Sequence, residues 1–115
     1  MTEFQPTPCP TSSPWGQIDQ RRELAPGIWK VSTPSHGGIH LSPERYEAMP
    51  DYMKATAYSS DGWYEEDVDW ALVAIVFPEA FDAEALEVAH RAFKDWHPDK
   101  RHAWQGEAMR KVAPC

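Results

Sequence analysis

The chain has 115 residues, 42% of them hydrophobic, and a formal net charge of −7. That length supports one packed core, and an apolar share a little under the globular norm leaves some residues outside it. The charge disfavours free DNA or RNA as the main ligand, and the longest apolar run, Ala71 to Phe77, is too short to span a bilayer.

Residues 1–14 carry Pro6, Pro8, Pro10 and Pro14 among Thr and Ser, a composition with too little apolar surface to offset its ordering entropy. A disordered, flexible leader is expected there, ahead of a single domain over 15–115. The leader has no basic start and no apolar core, so a secretory signal is not expected and the predicted location is the cytoplasm of a bacterial cell. Cys9 and Cys115 lie in the two terminal segments and make no framework. Two free thiols in a reducing compartment is the simpler expectation, with a bond between them left open.

Gly16 to Leu24 reads as a polar edge strand and Ala25-Pro26-Gly27 as a turn, since Pro presets φ and Gly tolerates the positive φ that follows. Ile28 to Thr33 alternates as a strand, Pro34 to Gly38 is a loop, and Ile39-His40-Leu41 returns as a short strand. Ser42-Pro43-Glu44 announces a helix by its N-cap, its proline at the first helical position and its acid in the first turn; Pro50 ends it near Met49. Asp51 to Ser60 is irregular or a single turn. Val68, Ala71, Leu72, Ile75 and Val76 form one stripe at helical spacing, predicting a helix over about 66–77 with Glu65, Glu66 and Asp67 at its positive end. Asp82 caps a helix to about Trp96, along which Leu86, Ala89, Phe93 and Trp96 make a seam, and Lys100 to Val112 is a further helical piece. The expected fold is therefore α+β: a small antiparallel β-meander packed by two main α-helices.

The charge is unevenly placed. Residues 43–89 carry twelve acids against Arg45 and Lys54, a net of −10, whereas residues 90–115 carry three acids against six bases. Its densest stretch is Gly62-Trp63-Tyr64-Glu65-Glu66-Asp67-Val68-Asp69-Trp70, where the carboxylates are framed by three aromatic rings. Exposed tryptophan is costly unless something covers it, so this pattern predicts a surface that meets a cationic partner. Trp63 and Tyr64 would be its desolvated anchor, and Glu65, Glu66, Asp67 and Asp69 its charged rim. The competing reading is an acidic first turn on a buried helix.

Three other constellations could carry chemistry. His36 and His40 could converge from a hairpin with Glu66, or a neighbouring acid of the 65–67 run, as a metal site. Ser35-His36 suggests a nucleophile and its base, but adjacent residues seldom aim side chains at each other and the elbow that exposes a nucleophile is absent. Neither demands a cofactor, and none is expected. His97-Pro98-Asp99-Lys100 reproduces the tetrapeptide of J-domain cochaperones. The preceding helix of that family is strongly basic, whereas here Asp82, Glu84, Glu87 and Asp95 face only Arg91 and Lys94.

Thr33-Pro34-Ser35-His36-Gly37-Gly38-Ile39-His40-Leu41-Ser42-Pro43-Glu44-Arg45, then Ala48-Met49-Pro50, and later Gly62 to Asp67 through Phe77-Pro78, resemble a small uncharacterised bacterial family. Its members are met in phage, plasmid and other mobile-element proteins. The resemblance covers residues 29–96 and brings no assigned reaction, so it implies a context and no catalytic residue. In that context small acidic proteins often inhibit host defence complexes that bind nucleic acid, of the anti-CRISPR or anti-restriction type. The expectation is a non-enzymatic inhibitor that blocks a basic, nucleic-acid-binding host surface without binding nucleic acid or membrane itself. A small, metal-dependent enzyme built on the Ser35-His36-Gly37-Gly38 loop is the alternative.

Overall fold

Four antiparallel strands form the central sheet in the order β3 (Gln20–Ala25), β4 (Ile28–Ser32), β5 (Gly37–Leu41) and β6 (Trp63–Glu65), with a two-stranded ribbon, β1 (Ser12–Ser13) and β2 (Gly16–Gln17), ahead of it. The helices are α1 (Pro43–Ala48), α2 (Trp70–Val76), α3 (Ala83–Trp96) and α4 (Pro98–Val112). The computed structural model describes residues 3–54, 56 and 58–112. The architecture is α+β, as expected, with the meander extended by a fourth strand.

That fourth strand lies inside the run read as an acidic surface. Gly62, at φ 83°, reverses the chain after a 3-10 turn over Ser59–Asp61. Only a residue without Cβ fits, because a Cβ there would lie 2.7 Å from the Leu41 carbonyl. The chain then pairs Trp63 with His40, Tyr64 with Ile39 and Glu65 with Gly38. Side chains alternate across a strand, so the pairings sort the sheet into two faces. Ile28, Ile39, Leu41 and Tyr64 point to one, and Trp29, Gly38, His40, Trp63 and Glu65 to the other.

The first face packs on α2. Ala71, Leu72, Val73, Ala74 and Ile75 are all buried, so this helix is enclosed all round rather than along one stripe. Leu72, Val73 and Ile75 join Ile28, Ile39, Leu41, Tyr64 and Phe93 in the main core, while Ala71 and Ala74 meet Ala89 of α3. Small side chains let those two helices approach closely. The helix begins at Trp70 and not near residue 66, because the Glu65 carboxylate takes up the backbone N–H groups of Asp67, Val68 and Asp69 in a tight turn.

The second face is covered by the ribbon that the leader leads into. Trp15 lies directly over Gly38, where a Cβ would come within 2.5 Å of the indole. Its ring meets Trp63, Tyr58 and His36 edge-on at centroid distances of 5.6, 5.5 and 5.2 Å. Upstream, among the described residues, the leader has neither strand nor helix before Ser12. It is nevertheless tied to the body: Phe4 meets Phe77 edge-on, Gln5 N–H donates to Glu44, and Trp29 Nε1 donates to the Thr7 carbonyl. Cys9 is a half-buried free thiol, and the Cys115 half of the open disulfide question lies outside the described residues.

Ser42 and Asp82 cap α1 and α3 through the N–H groups of Arg45 and Ala85, as their spacing predicts. Residues 51–54 form a 3-10 turn, and fully buried Ser59 fastens the following loop by accepting the Thr56 N–H. Pro98 does not merely stop α3; it opens α4, so the two helices meet at a corner on His97. Among the described residues no helix is long and apolar enough to cross a membrane.

Candidate functional site

The two most distinctive stretches of the sequence meet in space. The loop before β5 carries His36, β6 ends on Glu65 and the turn after it carries Glu66 and Asp67, and pairing of β5 with β6 sets them side by side. His36 Nε2 lies 3.5 Å from Glu65 Oε2, and His36 Nδ1 lies 3.7 Å from Glu66 Oε1. One ligand atom from each of His36, Glu65 and Asp67 falls within 4.8 Å of the others.

Each member is held by local structure. The His36 N–H donates to Thr33 Oγ1 at 3.1 Å, the Thr33 N–H donates to the His36 carbonyl at 2.7 Å, and Trp15 fixes the ring from the side. Glu65 accepts the N–H groups of Asp67 at 2.8 Å, Val68 at 2.7 Å and Asp69 at 2.9 Å. Burial alone would raise its pKa, but those three donors, with His36 beside them, bring it below the usual carboxylate value. Glu65 is therefore a fixed anion, aimed by the backbone.

The remaining residues singled out by sequence are placed elsewhere. His40 does not join His36: His36 lies in the loop just before β5 and His40 within it, so four residues of extended chain hold them roughly 13 Å apart, and Trp15 packs over Gly38 between them. His40 packs its ring 4.4 Å from that of Trp63, and burial lowers its pKa against the opposing effect of its hydrogen bond to the Asp61 backbone. Ser35 is exposed and, among the described residues, makes no hydrogen bond to the His36 ring, so no nucleophile–base pair forms.

Of the six residues expected to form the docking surface, Trp63 and Tyr64 are buried, at 7% and 0% exposure. Sheet pairing directs Trp63 under Trp15 and Tyr64 into the core, where its hydroxyl donates to the Met53 carbonyl at 2.9 Å and burial raises its pKa. They cannot serve as exposed anchors. Glu65 is turned inward, and Asp69, with 13% of its side chain exposed, lies 3.4 Å from His97 Nε2. Glu66 and Asp67 alone of the six are exposed. His97 also faces the Val68 carbonyl at 3.3 Å, so the histidine of the cochaperone-like tetrapeptide points into the molecule.

Beside the His36 cluster, a cleft of about 760 Å³ runs between the open end of the sheet and the α2–α3 pair. Its lining includes the bases Arg22 and Lys30, the acids Glu66, Asp67 and Asp82, and the rings of Trp70 and Phe81. Sequence reasoning also passed over Arg45. It is 4% exposed, donates from Nε to the Pro26 carbonyl at 2.9 Å, and carries its guanidinium 3.8 Å from the Phe4 ring centre and 4.8 Å from that of Phe77. Burial lowers its pKa, opposed by Glu79 and Glu44. Nothing local marks an arginine in an amphipathic helix turn as buried; the signal, Phe4, is more than forty residues away.

No curated protein and no solved structure matches the chain. A family model, described as a domain of unknown function (DUF7007), matches residues 8–113. That match takes in the whole sheet, the four helices and the ribbon carrying Trp15, and the chain belongs to this family.

Proposed function

We propose that the protein is an interaction module that docks onto a Lys/Arg-rich surface of a partner, by its exposed acids and without the aromatic anchor. The observation that carries this reading is the state of the twelve acids between residues 43 and 89. Ten are exposed, all but Glu65 and Asp69. Among the described residues, the ion pairs engage only Asp51 with Lys54, Glu87 with Arg91 and Glu66 with His36 from those ten. Glu44, Glu47, Asp61, Asp67, Glu79, Asp82 and Glu84 enter no ion pair with Lys, Arg or His among the described residues, although Glu44 accepts the Gln5 N–H, Asp82 caps α3, and Glu44 and Glu79 act at longer range on Arg45.

Such a field speeds and orients encounter with a cationic surface and weakens as salt is added. A protein that covers a basic surface also competes with nucleic acid for it. The mobile-element resemblance of the Thr33–Arg45 and Gly62–Asp67 motifs supports a host nucleic-acid-binding defence complex as the partner, which makes inhibition the biological outcome. The test is capture from bacterial lysate at low and high salt, with wild type beside the combined variant Glu44→Lys, Glu47→Lys, Glu79→Lys and Glu84→Lys. Recovery of a nucleic-acid-binding complex by wild type alone, released by salt, supports the reading. Equal recovery by both proteins contradicts it.

A further inference from the structure

We propose that His36, Glu65 and Asp67 form a binding site for a divalent first-row transition cation of the zinc or manganese kind. The proposal is independent of the docking reading, whose test leaves these three residues untouched.

The first observation is geometric. One imidazole nitrogen and two carboxylate oxygens lie within 4.8 Å of one another. Atoms at that spacing always share a point within about 2.8 Å of all three, so shifts of less than ~1 Å bring each to bonding distance, ~2.0–2.2 Å. Glu65 does not need to reorient for this. Its carboxylate is already held by the N–H groups of Asp67, Val68 and Asp69, and Oε2 faces His36.

The second observation concerns the outer side of the imidazole. With Nε2 turned to Glu65, Nδ1 lies 3.7 Å from Glu66 Oε1. A carboxylate behind a metal-ligating histidine fixes its tautomer and strengthens it as a donor, and such partners accompany most histidine ligands. Here the backing acid is the immediate neighbour in sequence of one ligand, so both inner and outer partners of His36 come from one turn.

The third is charge. Three carboxylates converge on one imidazole, and among the described residues no Lys or Arg pairs with any of them. At 3.5 and 3.7 Å the ring nitrogens are beyond good hydrogen-bond distance from the Glu65 and Glu66 oxygens, and the three backbone donors answer Glu65 alone. A dication would answer the remaining charge. One imidazole with two carboxylates suits zinc and manganese better than magnesium or calcium, which favour all-oxygen shells. Three protein ligands, of which exposed Asp67 lines the α2–α3 cleft, leave coordination positions open.

The test uses the full chain, stripped with chelator and dialysed, and titrated calorimetrically with zinc, manganese, magnesium and calcium chlorides while thermal unfolding is followed. The expected result is one site for zinc or manganese, with a rise in Tm, and at least tenfold weaker binding of magnesium and calcium. His36→Ala is expected to lower affinity tenfold or more, and Glu66→Gln by a smaller factor through His36 alone. Asp67→Asn keeps its backbone donor to Glu65 and guards against misfolding of the histidine variant; it too is expected to weaken binding at least tenfold. His90→Ala, an exposed histidine on α3, leaves affinity unchanged. No binding of any of the four ions, or zinc and manganese binding that persists unaltered in both His36→Ala and Asp67→Asn, overturns the proposal.

Discussion

His36 and Glu65, twenty-nine positions apart in sequence, lie 3.5 Å from each other because β5 and β6 are neighbouring strands. A loop that reads as a catalytic suspect and a turn that reads as a docking surface are thus one place. Glu65 is the fixed point of that place, and its role in folding can be separated from any role in binding.

Glu65→Gln keeps the shape of the side chain and removes the charge that three backbone donors address. A loss of about 1.5–3 kcal/mol is expected at pH 7, the range for hydrogen bonds to charged groups. The pKa of Glu65 is lowered in the folded state, so its contribution is complete above the unfolded carboxylate value and fades as pH falls through the folded one. Urea denaturation of both proteins, repeated downward from pH 7, should show the difference shrinking below about pH 4.3, the unfolded reference.

His40 works in the opposite chemical sense and in a different pH range. Burial lowers its pKa, so the folded state holds the neutral ring while the unfolded chain binds a proton from about pH 6.5 downward. Stability is full above that value and declines as pH falls toward the folded pKa. In His40→Gln the decline across the interval just below pH 6.5 should flatten, which thermal unfolding at closely spaced pH values would reveal.

Trp15 is predicted to be a structural residue of the sheet rather than part of a loose leader. It covers Gly38 and meets His36, Tyr58 and Trp63. Trp15→Ala should cost about 2–4 kcal/mol and shift Trp63 emission toward that of solvent-exposed indole. Gly38→Ala should do the same by another route, since its Cβ would sit 2.5 Å from both the Trp15 ring and the Tyr64 carbonyl. Unchanged emission in both variants would mean that the ribbon does not cover this face.

Arg45 gives a sharper contrast. Its guanidinium lies against Phe4 and Phe77, and planar stacking is a property lysine lacks. Arg45→Lys should therefore destabilise by about 1–2 kcal/mol despite conserving charge. Phe4→Ala should remove part of the same stabilisation, and in a double-mutant cycle the two losses should fall short of additive.

How much of this was legible in the chain follows from the range of each interaction. The caps at Ser42 and Asp82, the turn at Pro26-Gly27 and the strand Ile28 to Ser32 depend on neighbours within a few residues, and pattern reading found them. Strand β6 was hidden because Trp63-Tyr64-Glu65 alternates too briefly to show a period, and its acids suggested solvent. The start of α2 was placed early because Glu65 competes with the helix for the N–H groups of its first turn. In the site, convergence of His36 with the 65–67 acids is open to sequence reading, whereas His40 is kept away by Trp15, a residue carrying no local sign of its position. The inward turn of Trp63 and Tyr64 had the same cause: sheet pairing across more than twenty residues decided which side of the strand met water.

The most direct measurement follows the identified partner complex loaded with a labelled nucleic acid, as the purified protein is added at low salt. Displacement of the label by wild type, lost in the combined Glu44→Lys, Glu47→Lys, Glu79→Lys and Glu84→Lys variant and suppressed by added salt, is the expected result. Equal displacement by wild type and variant, or binding that leaves the nucleic acid in place, would contradict docking of the exposed acids onto a basic surface.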